Sequence, residues 1–308
     1  MFSKFSNPGR LSLALLLCLA FFSHSTWSAS VTIVGSSTLE PFLKQWAAQV
    51  KTKSPSTDIS ISSPGTSVGP KSLIQNKADL AAMNREMTNE ETEAFIRVHG
   101  YYPTAIAVAI EAVALYANPA NPITGIDLAQ LDAIYSKSHG CGWRENITTW
   151  GQVGLSGTWK TQKIVMLGHN NKSAVRDFFS KSVICRDDFK ADIPELSHDE
   201  LLAKVAQNTY AIGYGRYQPD SKLKVVPIQK SGGGYVPLTL ESIYNRSYRL
   251  QHYLFLYVNK PKDKPLNPAV LEFLKVGLSQ QGQAAVSGAG YIPLSDELVQ
   301  RQLGKLGK

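Results

Sequence analysis

Three times along this chain a short apolar run ends in a loop of small hydroxyl residues, and each loop leads into a stretch with helical spacing. VTIVG at 31–35 leads through Gly35, Ser36, Ser37 and Thr38 into 39–50. There Leu39, Phe42, Leu43, Trp46, Ala47 and Val50 recur at the three- and four-residue steps of one helix face. Ile59 and Ile61 alternate with serines before a loop that carries Ser63, Gly65, Thr66 and Ser67, and a helix opens over 71–76. KIVML at 163–167 precedes a loop from Gly168 to Ser173 and a helix over 174–182. Further strands are expected at 103–117, 210–214, 225–228 and 253–258, with helices at 127–135, 200–207 and 268–278. Strands alternating with helices in this way specify the α/β class with mainly parallel sheets. Each loop sets hydroxyls and free N–H groups at a helix N-terminus, which suits an anion. Any one of them alone is equally an ordinary N-cap. The threefold recurrence is what points to a ligand.

With 308 residues, the chain makes two lobes or one large domain, at about 150 residues per domain. Its composition, 43% hydrophobic and 18% charged, excludes a disordered or coiled-coil chain. The net charge of +8 suits an anionic partner. No Lys/Arg run of five or more occurs, so the charge is spread out and nucleic acid is not the expected partner.

Residues 1–28 read as a secretory signal peptide. Lys4 and Arg10 give the positive start, residues 11–22 the apolar core, and small and polar residues follow. A cut after Ser28 places Thr26 at the −3 position, whereas a cut after Ala29 would place bulky Trp27 there. Cys18 lies within the apolar core and is not a lipoprotein cysteine. No later stretch is long and apolar enough to span a bilayer, so a chain without a membrane span is expected after processing, in the periplasm or secreted. Cys141 and Cys185 remain, and an even pair in an oxidising compartment reads as a disulfide. Closing a loop of about 45 residues stabilises by roughly 3–4 kcal/mol. A metal site is the weaker reading: His139 precedes Cys141 by two residues, but no CxxC or HExxH is present.

Gly65, Gly69, Pro70 and Lys71 superficially follow a phosphate-cradling P-loop, but the glycine spacing is one residue short and Pro70 lacks a needed N–H. No GxSxG nucleophile elbow, metal spacing or carboxylate pair appears, so neither an enzyme nor a cofactor is expected. His99, His198 and His252 show no partner pattern, and Trp143, Trp150 and Trp159 are expected to pack the interior.

In order, GSST, PGTSVGPK, DLAAMNREM, EAVALYANPANPI, LGHNNKSAVRDFF, AIGYG and GYIPL are similar to the phosphate-binding proteins of bacterial ABC uptake systems, over nearly all of residues 31–295. The resemblance implies a two-lobed α/β periplasmic binding-protein fold with the ligand cleft between lobes that close by a hinge. Lobe one would comprise 31–112 plus 252–308 and lobe two 113–251, with crossings near 109–116 and 252–258. Both cysteines would then sit in lobe two. By the same resemblance, Ser37, Thr38 and the Leu39 N–H, Thr66 and Ser67, Asn84 and Ser173 would hold phosphate or a related oxyanion. The partner would be an ABC permease or a signalling receptor, and the protein a monomer.

The third loop departs from the family pattern Arg-x-x-x-Ser-Gly-Thr. His169 stands at the arginine, Ala174 at the glycine and Val175 at the threonine. Losing a charge-assisted hydrogen bond of about 1.5–3 kcal/mol would weaken binding by about tenfold to a hundredfold. His169, when protonated, is expected to replace part of that charge and to make binding favour low pH, and Arg176 is a second candidate. Asn84 stands where the family has aspartate or serine, which removes a filter against fully ionised sulfate. The alternatives are a relative whose cleft takes another small anion, and an adhesion or signalling module on the same fold.

Overall fold

The structure is a computed structural model that describes residues 29–185, 188–229, 233–262 and 264–307. The signal-peptide reading falls on residues outside these.

The first half of the chain alternates strand and helix, with β3 and α3 added to the elements expected from periodicity. β1 (Ser30–Gly35), α1 (Glu40–Lys53), β2 (Asp58–Ser62), α2 (Val68–Ile74), β3 (Leu80–Met83), α3 (Asn89–His99) and the long β4 (Thr104–Ala117) follow in order. α1 begins with Glu40 and Pro41 and ends with Lys51 and Lys53, charges that complement the helix dipole. α3 was not expected from apolar spacing. A capping box between Thr88 and Glu91 and a left-handed Gly100 define its two ends.

The middle of the chain comprises α4 (Leu128–Tyr135), β5 (Val165–His169), α5 (Ala174–Val183), β6 (Glu195–Leu196), α6 (His198–Gln207) and β7 (Ala211–Arg216). Short strands β8 (Lys224–Val225), β9 (Ile228–Gln229) and β10 (Tyr235–Val236) and helix α7 (Leu240–Tyr244) come next. The single strand expected at 225–228 is two pieces. Pro227 has no N–H to continue a ladder, so β8 pairs with β4 and β9 pairs with β10. β11 (Gln251–Val258), α8 (Pro268–Gly277), α9 (Gln280–Gly288) and α10 (Asp296–Leu306) complete the chain.

The main sheet runs β2-β1-β3-β11-β4-β7-β5-β6. Pairs on its two wings, β1 with β2 and β3, and β5 with β6 and β7, are parallel. β4 and β11 pair antiparallel with each other and with their neighbours. β4 is shared between the wings. Thr104 to Ala112 pair with β11, and Val113 to Ala117 pair with β7. One strand thus passes from a first α/β lobe into a second, and β11 lies beside it on the way back.

Each lobe has its own core. In the first, Trp46 of α1 is fully buried against Phe42 and Phe273, with its Nε1 donating to the Gly282 carbonyl at 2.8 Å. In the second, Tyr135, Phe179 and Tyr214 pack ring on ring, the last two stacked at 3.9 Å. Cys141 and Cys185 form the expected disulfide, with Cα atoms 5.1 Å apart. Fully buried Asp132 accepts hydrogen bonds from both cysteine N–H groups, at 2.7 and 3.1 Å. The thiols are consumed in that bond, so the grouping of Asp132 with the two sulfurs offers no thiolate to a metal.

Candidate functional site

The first two loops are joined through the backbone. Gly35 sits at φ +149°, and any Cβ there would collide with the Ala82 carbonyl, so only glycine allows β1 to end so close to β3. The Gly35 carbonyl accepts from the Gly65 N–H at 2.9 Å, and the Ser36 N–H donates to Ala82 at 2.8 Å. Asn84 follows directly after β3. Its Oδ1 accepts from the Thr66 hydroxyl at 2.6 Å. Three separate segments of the first lobe thereby converge on one point.

The helix starts divide into two kinds. Of the ten α-helices among the described residues, seven begin with a side chain that accepts from its own first turn: Thr88, Asp127, Ser197, Thr239, Asn267, Ser279 and Ser295. The three without such a bond are α1, α2 and α5, which follow the three hydroxyl loops. Ser67 and Ser173 occupy cap positions, yet neither side chain bonds its own helix. Leu39 occupies that position for α1, and its N–H makes only a long 3.4 Å turn bond to the Ser36 carbonyl. Hydroxyls and N–H groups that are not used locally remain open to a ligand.

A cavity of about 320 Å³ opens where the lobes meet. Thr66, Ser67, Asn84 and Arg85 form one wall; Ala174, Asp177, Phe178 and Lys181 of α5 form the other, and His252 of β11 lies between. Of the residues singled out from sequence, Thr66, Ser67 and Asn84 line this cavity. Ser173 directly precedes Ala174 without lining the cavity, and Ser37, Thr38 and Leu39 do not line it.

His169 and Arg176 are not brought to the cavity. His169 is 4% exposed, its ring stacked on His198 at 5.7 Å and set beside Tyr214. Burial, then the neighbouring His198, Arg216 and Arg176, pushes its pKa down to about 4. It is therefore a neutral interior imidazole and does not replace the missing arginine's charge. Arg176 emerges from the other side of α5. Its guanidinium lies 4.1 Å from the centre of the Phe189 ring and donates to the His169 carbonyl at 2.8 Å.

Arg85, Asp177, Phe178, Lys181 and His252 were not singled out. Arg85 adjoins Asn84, and both its terminal nitrogens reach Glu91, at 2.7 and 2.8 Å. Positions 174, 177, 178 and 181 form one helix face, a spacing visible in the sequence once buried Val175, Phe179 and Val183 fix the rotation of α5. His252 does have a partner. The register of β11 on β4 sets it opposite Glu111, whose carboxylate is 2% exposed. His252 Nε2 and Arg216 Nε reach that carboxylate at 3.3 and 3.4 Å. Burial works to raise the Glu111 pKa, but the two partners outweigh it and hold the carboxyl below its ordinary value. Arg216 also lies over the Tyr291 ring at 4.5 Å, and Phe178 lies against His252 at 4.2 Å. The cluster thus ties the crossing strands to both lobes.

Two α/β lobes sharing a crossing strand, with the second hydroxyl loop facing the first turn of α5 across a cleft, define a two-lobed solute-binding protein. A model of the PBP superfamily domain matches residues 23–281. The chain is 34% identical over 283 residues to the phosphate-binding protein PstS of Pseudomonas aeruginosa, covering 91% of this chain and 88% of that one. Its structure is similar to that of a possible phosphate binding protein from Planctomyces limnophilus, with a TM-score of 0.72 and 27% identity over 91% of this chain and 99% of the other. An ABC-type phosphate transport receptor from Vibrio cholerae shares the fold, with a TM-score of 0.68 at 22% identity over 86% of this chain and 100% of that chain. The chain belongs to the PBP superfamily and, within it, to the family of PstS phosphate-binding proteins.

Proposed function

We propose that this protein captures inorganic phosphate in the cleft between its lobes and delivers it to an ABC-type permease. The observation that carries this reading is the division of helix starts: the uncapped ones are those at the hydroxyl loops. Ser67, Ser173 and the loop N–H groups replace the water around the anion, with Ser37, Thr38 and the Leu39 N–H closing the first-lobe side, while Thr66, whose proton goes to Asn84, orients that amide towards the ligand. Asn84, whose Oδ1 is taken by Thr66, turns its amide donors to the ligand.

In this reading lobe one is 31–112 plus 252–308, and lobe two is 113–251. The handover of β4 from β11 to β7 between Ala112 and Val113 supports that division. Closure about the crossing strands traps the anion. The protein works as a monomer in the periplasm after removal of residues 1–28, and it performs capture without bond chemistry. Titration of ligand-stripped mature protein with phosphate tests the reading: saturable binding in the micromolar range or tighter is expected, and no binding to folded protein overturns it.

A further inference from the structure

The neutral groups of the cleft leave open where the charge opposite the anion comes from. His169 is a buried neutral ring, and Arg176 is committed to Phe189 and the His169 carbonyl on the far side of α5. Arg85 reaches the cleft, but Glu91 holds both of its terminal nitrogens. On the α5 wall the charged residues are Asp177 and Lys181, one helical turn apart and joined at 2.8 Å. Their side chains are 61% and 67% exposed, so neither is tied into the interior. Val175, Phe179 and Val183, packed into the second-lobe core, fix the face on which they stand. Asp177 also stands across the cleft from Arg85, on the opposite wall.

Building on the phosphate reading, we propose that Lys181 is the cation that the second lobe presents to the bound anion, and that Asp177 is its built-in competitor, holding Lys181 while the cleft is empty and yielding it when phosphate enters. An exposed lysine is a mobile point charge on a flexible stem, so it can leave a carboxylate for a dianion without moving the backbone. Asp177 then sets the affinity by opposing the ligand's charge. The pair takes over the task that His169 cannot perform.

Calorimetric titration of the full mature chain with inorganic phosphate, at low and high ionic strength, tests this. Lys181→Gln should raise Kd about fivefold or more at low salt, with the difference shrinking as salt is added. Lys181→Arg should retain most of the affinity, and Asp177→Asn should lower Kd. Arg301→Gln, which breaks a similar one-turn pair with Glu297 on α10, should leave Kd unchanged. If wild-type protein binds phosphate while Lys181→Gln and Asp177→Asn bind it equally well at low salt, the proposal is overturned and the phosphate reading stands. If wild-type protein ignores phosphate, the reading on which it rests fails first.

Discussion

The Thr66 hydroxyl donates a 2.6 Å hydrogen bond to Oδ1 of Asn84, joining the second loop to the end of β3 at the wall of the cleft. The bond uses the threonine's proton and the amide's oxygen, so what Asn84 has left to offer a ligand is its N–H donors. Thr66→Val keeps the shape and removes the bond. It should weaken phosphate binding by about 1–3 kcal/mol, or roughly fivefold to a hundredfold in Kd. Asn84→Asp puts a carboxylate where the amide stood, so it should accept the proton of hydrogen phosphate and widen the preference for phosphate over sulfate. Parallel titrations with the two anions check both, and unchanged affinity in Thr66→Val would remove this point of convergence from the site.

Ser173 and Ser197 stand at the same position of two helices and do different work. The Ser197 hydroxyl accepts from the Glu200 N–H of its own helix, whereas the Ser173 hydroxyl makes no cap bond. Ser197→Ala should cost about 1 kcal/mol of stability and leave phosphate affinity intact. Ser173→Ala should do the reverse, lowering affinity with little change in the urea midpoint. Equal effects of both on stability would mean that Ser173 is an ordinary cap.

Stability should fall with pH in two separable steps. His169 is held neutral with its pKa near 4, below the ordinary value of 6.5, so the unfolded chain takes up a proton first. Folded stability is therefore lost as pH drops from about 6.5 towards 4, by at most about 3 kcal/mol. Glu111 has its pKa lowered, so its contribution is present above the ordinary carboxyl value of 4.5 and is lost as pH falls below it. Urea unfolding across pH 3.5–7.5 should show His169→Gln shrinking the upper step, the remainder belonging to His198, whose pKa burial also lowers, and Glu111→Gln shrinking the lower one. Phosphate affinity should gain nothing from His169 at low pH, and tightening that vanishes in His169→Gln would contradict its burial.

The disulfide joins two half-buried cysteines, neither of which lines the cleft. Replacing Cys141 and Cys185 with serine should lower stability by roughly 3–4 kcal/mol and leave phosphate affinity unchanged. Chemical denaturation with parallel calorimetry reads both. The unreduced protein should weigh two hydrogens less than the reduced form.

The hydroxyl loops were legible because each lies between elements whose periodicity is local. The alternation from β1 to β4 follows from residues within a few positions of one another. The opposite wall of the cleft depends on which face of α5 turns inward, and the packing of Val175, Phe179 and Val183 decides this. That is why Arg176, read as a ligand group, faces away while Lys181 faces in. Likewise His252 had no partner in the sequence, because Glu111 reaches it only through the register of β11 on β4. His169, expected in the loop, instead ends β5, and only the packed second lobe encloses it. Nor does residue type show which caps are in use: Ser67, Ser173, Ser197 and Ser279 are all serines, and only the last two bond their own helices.

The most direct measurement is calorimetric titration of ligand-stripped mature protein with phosphate, with sulfate as the control. The account predicts saturable phosphate binding in the micromolar range or tighter, no stronger at pH 5.5 than at pH 8. Folded protein that gives no heat with phosphate, or that prefers sulfate, would contradict it.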